Sequence, residues 1–60
     1  MEMWITRDSG GALLLHTEKP ILYKSSGIWD SENWFEIDSN LYPEVTFENS
    51  PQEIELIIKK

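Results

Sequence analysis

Turn-forming residues interrupt this chain so often that no stretch between them is long enough for more than a short strand or a few turns of helix. The interruptions are Arg7-Asp8-Ser9-Gly10-Gly11, Pro20, Ser25-Ser26-Gly27, Asp30-Ser31-Glu32-Asn33, Asp38-Ser39-Asn40 with Pro43, and Asn49-Ser50-Pro51. Glycine supplies positive φ, Asp, Asn and Ser satisfy nearby backbone groups with their own side chains, and proline removes a donor. The segments between them are rich in Ile, Leu, Trp and Phe, residues that suit a pleated surface. The expected fold is all-β: a small five- or six-stranded antiparallel meander or open barrel, a single domain over residues 1–60.

Met3 to Thr6 and Ala12 to His16 flank the paired glycines and form the clearest hairpin. Neither strand has a polar face, because Met3 and Ile5 alternate with Trp4 while Leu13, Leu14 and Leu15 run on without a break. That hairpin is buried on both sides or covered by a partner. Ile21 to Lys24 reads as a short strand followed by a break at Ser25-Ser26-Gly27, and Ile28-Trp29 with Trp34 to Ile37 reads as a second hairpin. Asp38 to Pro43 reads as a turn or a single helical turn. Glu44 to Glu48 alternates, which predicts a half-buried strand with Val45 and Phe47 inward and Glu44, Thr46 and Glu48 outward. The last segment has two readings. Ser50-Pro51-Gln52-Glu53 suits a helix start with Ile54, Ile57 and Ile58 on one stripe, whereas Ile54, Leu56 and Ile58 also alternate; the strand is favoured, because the segment is short and rich in β-branched residues. A four-residue loop, Asn49 to Gln52, then sets Glu48 opposite Glu53, Thr46 opposite Glu55, Phe47 against Ile54 and Val45 against Leu56.

Sixty residues of which 40% are hydrophobic can build one thin core, and chains of this size draw only about 3–5 kcal/mol from it. The absence of cysteine removes disulfides, a thiolate nucleophile and cysteine-ligated zinc, and fits a reducing compartment. The longest apolar run, Ala12 to Leu15, is too short to span a bilayer, and Met1-Glu2-Met3-Trp4 lacks the basic region of a signal peptide. A soluble cytoplasmic protein without membrane contact is expected. The thin core and the two-faced hairpin together predict a homo-oligomer, most simply a dimer.

The net charge of −6 is unevenly spread. Residues 1–24 balance Glu2, Asp8 and Glu18 against Arg7, Lys19 and Lys24, whereas residues 25–58 hold eight acids and no base. Such a field repels phosphate backbones, so direct nucleic-acid binding is not expected. Lone His16 has no activated nucleophile or glycine-framed serine beside it in sequence, and it reads as structural. Asp30, Glu32, Glu36 and Asp38 read as solvated turn carboxylates, since a chain this small lacks the deep cleft that a paired-carboxylate enzyme needs. Asp38-Ser39-Asn40 begins like a calcium loop, but Pro43 and Asn49 occupy the positions that require glycine and an acid. No phosphate-cradling glycine loop is present. An enzyme is not expected, nor is a cofactor or a metal. Most of the aromatics serve the core, except that Trp34 faces away from Phe35 and Ile37 and suits an interface anchor beside acids.

Arg7-Asp8 before Gly11, Leu13 and Leu15, Lys19-Pro20, Trp29, Leu41, Pro43-Glu44-Val45-Thr46, Glu48, Pro51, Glu53, Glu55 and Leu56 form a spacing that resembles short uncharacterised acidic proteins encoded by phages and integrated mobile elements of gut bacteria. The resemblance implies an accessory protein and carries no activity or site residue across. Two functions follow as expectations. One is an adaptor or inhibitor that binds a protein partner, such as a host protein with a basic surface, through an acidic face of Glu44, Glu48, Glu53 and Glu55 or a strand edge, with outward Trp34 as a further contact. The other is an assembly subunit that acts as a homo-oligomer. The same acids also serve solubility and keep a strand edge from aggregating.

Overall fold

The paired glycines close the first hairpin as their chemistry requires. In a computed structural model that describes residues 2–55, Gly11 takes φ 100° and the Asp8 and Gly11 amides donate to the carbonyls of Ala12 and Asp8, each at 2.9 Å. The turn joins β1 (Glu2–Arg7) to β2 (Leu13–His16). Next come β3 (Ile21–Tyr23), β4 (Ile28–Asp30), β5 (Trp34–Ile37) and β6 (Gln52–Glu55). The strands form two antiparallel sheets, a four-stranded one in the order β5-β2-β1-β6 and a ribbon of β3 and β4. The fold is all-β, and only the two hairpins follow the simple up-and-down order of a meander. Among the described residues no helix is long and apolar enough to cross a membrane.

Two expected pairings are corrected. Ser25-Ser26-Gly27 is the turn of a hairpin rather than a break between strands: Gly27, at φ 68°, donates its amide to Tyr23 O at 2.8 Å and lets β3 pair with β4. Strand β5 therefore leaves β4 and lies on β2, with Leu13 opposite Ile37 and Leu15 opposite Phe35. The three leucines of β2 offer a partner apolar surface on both faces, which the short Ile28-Trp29 pair does not.

Glu44 to Glu48, expected as a strand, forms turns instead. The Thr46 amide donates to Asn49 Oδ1 at 2.8 Å, the Asn49 amide to Thr46 Oγ1 at 3.1 Å, and Asn49 Nδ2 to Glu44 O at 2.9 Å. Side chains that satisfy the backbone locally win over a strand ladder. Strand β6 pairs with β1 instead, placing Glu55 opposite Glu2, Ile54 opposite Met3 and Glu53 opposite Trp4. Glu48 is thus not opposite Glu53, Thr46 is not opposite Glu55, and Phe47 does not meet Ile54. The strand reading holds for Gln52–Glu55, while Leu56, Ile57 and Ile58, with the helix alternative and the Val45–Leu56 pair that rest on them, lie outside the described residues.

Directly opposed residues share a face. On the first face Ile5, Leu13 and Val45 are buried together, with Leu15, Ile37 and Ile54 packed against them. On the second face Thr6, Leu14 and His16 are buried. The hairpin is therefore covered on both sides at its centre, in keeping with its lack of a polar face.

Val45 reaches the core from a long strandless loop because Arg7 holds that loop in place. Its guanidinium donates to the carbonyls of Val45 and Gly11 at 3.0 Å, Ser39 at 2.7 Å, Tyr42 at 3.1 Å and Leu41 at 3.4 Å. A planar fork of five N–H groups is the one side chain able to collect so many acceptors at once. The Arg7 amide donates to Ser50 Oγ at 2.9 Å, where the β1–β6 ladder would otherwise continue.

Candidate protein-binding surface

The sole histidine ties the sheet to the loop between β4 and β5. Ser31 Oγ donates to Asn33 O at 3.1 Å, so it accepts from Nδ1–H of His16, 2.8 Å away. That leaves Nε2 as the acceptor for the Thr6 hydroxyl, also at 2.8 Å. Burial holds the ring below the ordinary histidine value, against the opposing pull of Asp8, Asp30 and Glu18. Both nitrogens are occupied and the residue is wholly buried, so the ring links parts of the fold and has no face open to a substrate. Sequence reasoning placed His16 as structural but had no means of pairing it with Ser31, which is fifteen positions away.

The chemistry open to solvent lies on the second face and its edges. Trp34 is opposite His16 and remains 51% exposed, with Glu36 two residues further along β5. Across the sheet, Glu2 and Glu55 stand directly opposite each other and Glu53 stands opposite half-buried Trp4. Trp34, Glu53 and Glu55 therefore share one face of the sheet. Glu44 and Glu48 come from the loop that covers the other face. Glu44 rejoins Glu53 along a cleft of about 450 Å³ with Ile5, Tyr42, Val45 and Ile54, whereas Glu48 stays apart in an exposed turn. Glu36 joins Trp34 on this face by the alternation of β5, and Glu2 was missed because the sequence gives no sign that β6 lies on β1.

At the start of β5 the chain is held by Glu18, which accepts from the Asn33 amide at 2.6 Å and from the Thr17 hydroxyl at 2.8 Å. These bonds, the Thr17 hydroxyl foremost, hold the Glu18 carboxyl below its ordinary value. The ribbon of β3 and β4 presents a different character. Its inner face carries Trp29, whose ring centre is 6.5 Å from that of Phe47. Its outer face exposes Ile21 (66%), Tyr23 (52%) and Ile28 (45%), with Tyr23 directly opposite Ile28. The alternation of Ile21 and Tyr23 was the available signal for that patch.

Among the described residues no group of three or more His, Asp or Glu side chains is placed to hold a metal ion. Compared with family models, with characterised proteins and with solved structures, the chain matches none.

Proposed function

We propose that this is a non-enzymatic accessory protein of the phage or mobile-element type, which binds a protein partner carrying a basic surface. The binding surface is the second face of the four-stranded sheet, with Glu2, Glu53 and Glu55 on one side and Trp34 and Glu36 on the other. The observation that carries this reading is the direct opposition of Glu2 and Glu55. Like charges facing each other across strands cost a few tenths to about 1 kcal/mol, and nothing in the core asks for them. An acidic face of this kind steers a basic partner to the encounter and makes affinity fall with salt. Exposed Trp34 supplies the large amphipathic side chain that interfaces use as an anchor.

The test compares tagged wild type with a Glu36→Lys/Glu53→Lys/Glu55→Lys variant of verified fold, used to capture proteins from bacterial extract at low and high salt. The expected result is a basic protein retained by wild type at low salt and lost both from the variant and at high salt. Equal capture by the two proteins leaves the carboxylates a role in solubility alone.

A second reading is favoured by one specific feature, the exposed Ile21, Tyr23 and Ile28 of the ribbon. A two-stranded ribbon with an open apolar face is marginal by itself, and pairing with a second copy would cover it. Light scattering coupled to size exclusion at tens of micromolar then gives a dimer mass, while a strictly monomeric mass removes this reading.

A further inference from the structure

The ladder on β5 shows which of its backbone groups are free. The Thr17 amide donates to Asn33 O at 3.2 Å, and this bond continues the β2–β5 register by one pair. Hydrogen-bonded pairs alternate along an antiparallel ladder, so the next such pairs are Leu15 with Phe35 and Leu13 with Ile37. Phe35 and Ile37 therefore turn their N–H and C=O groups toward β2, and Trp34 and Glu36 turn theirs outward. Strand β5 is last in its sheet, and the outward groups of Trp34 and Glu36 have no hydrogen-bond partner among the described residues. The opposite edge is guarded differently: by the same alternation the outward positions of β6 are Glu53 and Glu55, preceded by Pro51, whose nitrogen has no proton to offer.

The side chains of β5 make its open edge selective. Trp34 and Glu36 lie on the second face, and Phe35, 50% exposed, and Ile37 lie on the first. Glu18 is held at the start of the strand by the Asn33 amide, Glu32 precedes it and Asp38 follows it, and no base occurs between residues 25 and 58. A segment added here meets carboxylates and an indole on one face and apolar side chains on the other. A second copy of β5 would bring its own acids against these, so the complement is a basic strand.

We propose that the outer edge of β5 is a strand-addition site that takes an extended partner segment in which basic residues alternate with aliphatic ones. Backbone groups of the segment bond to Trp34 and Glu36. Its Arg or Lys side chains lie over the Trp34 ring and beside Glu36, and its aliphatic side chains cover Phe35 and Ile37. This rests on the reading of the protein as a binder of basic partners and adds the mode and the sequence pattern of what is bound.

The test uses three synthetic peptides of about eight residues, sized to cover one strand: alternating Lys and Val, the same peptide N-methylated at alternate backbone nitrogens, and alternating Glu and Val. Amide NMR follows the titration of the full chain. The expected result is binding of the first peptide alone, with shifts at the Trp34 and Glu36 amides and at the Trp34 indole, and with both amides becoming protected from exchange. N-methylation is expected to weaken binding about tenfold or more, since it removes the ladder bonds and leaves the charge. Glu36→Pro deletes an outward N–H without touching the β2 ladder, and is expected to weaken binding to the same degree; Glu36→Lys provides the second variant if proline perturbs the strand. Equal binding of the methylated and unmethylated peptides overturns strand addition while leaving the basic-partner reading intact, which the capture experiment judges separately. Protection of Trp34 and Glu36 in concentrated peptide-free protein, lost on dilution, makes a second copy the occupant and also overturns the proposal.

Discussion

Thr6 Oγ1 lies 2.8 Å from Nε2 of His16, and both residues are wholly buried on the second face of the sheet. In the neutral ring, with Nδ1–H given to Ser31, Nε2 accepts the Thr6 hydroxyl. Because burial lowers the His16 pKa below 6.5, the unfolded chain takes up a proton at a higher pH than the folded one. The stability this group contributes is complete above pH 6.5, and it is lost as pH falls below that point and through the lowered folded value. Urea midpoints measured from about pH 8 to about pH 5 should be level and then decline, and the decline should be absent in His16→Gln. His16→Ala should cost about 2–4 kcal/mol through the cavity and the buried Thr6 hydroxyl left without its partner. Molecules of that variant that remain folded should keep their partner binding.

Arg7→Lys keeps the charge but removes the fork that collects five carbonyls. An ammonium with three donors on a flexible stem does not span them, so stability should fall by about 1.5–3 kcal/mol. The loosened loop should show itself at the Val45 amide, which bonds to Tyr42 O at 3.0 Å and should exchange faster in the variant.

Gly27→Ala should be strongly destabilising for two separable reasons. The position has φ 68°, and an added Cβ would stand 2.7 Å from Ser9 Cβ, with Ser9 Oγ closer still. The left-handed backbone alone costs about 1–2 kcal/mol. Denaturation of Gly27→Ala with and without Ser9→Gly should therefore recover the steric part and leave the backbone part.

Glu55→Lys turns the repulsive Glu2–Glu55 pair into an attractive one. Stability should rise by a few tenths to about 1 kcal/mol, and capture of a basic partner should weaken. A variant that is more stable and equally active would separate the acidic face from function.

Local chemistry made the strands and turns legible, and long-range pairing was not written in it. Gly10-Gly11 announced the first hairpin, and the uninterrupted leucines of β2 announced burial on both faces. The alternation of Glu44 to Glu48 satisfied the strand pattern equally well, yet Asn49 and Thr46 capture that backbone from within the loop. Nothing in the residues of β5 or β6 distinguishes β4 from β2, or the preceding loop from β1, as a partner. Arg7 gave no sign of its role, because its acceptors are backbone carbonyls up to 38 positions away, which carry no residue-type signature. The surface residues Trp34, Glu36, Glu53 and Glu55 were legible as outward by alternation, while the place of Glu2 opposite Glu55 depended on the unseen register.

Native-state hydrogen exchange along β5 tests most directly the claim on which the binding account stands, that this strand pairs with β2 alone and leaves its other edge open. At concentrations that keep the protein monomeric, the amides of Leu13, Leu15, Phe35 and Ile37 should be protected, and those of Trp34 and Glu36 should exchange at rates near those of an unstructured peptide. Protection of Trp34 and Glu36 under those conditions would mean that β5 pairs on both sides, as a β4–β5 hairpin requires, and would contradict the account.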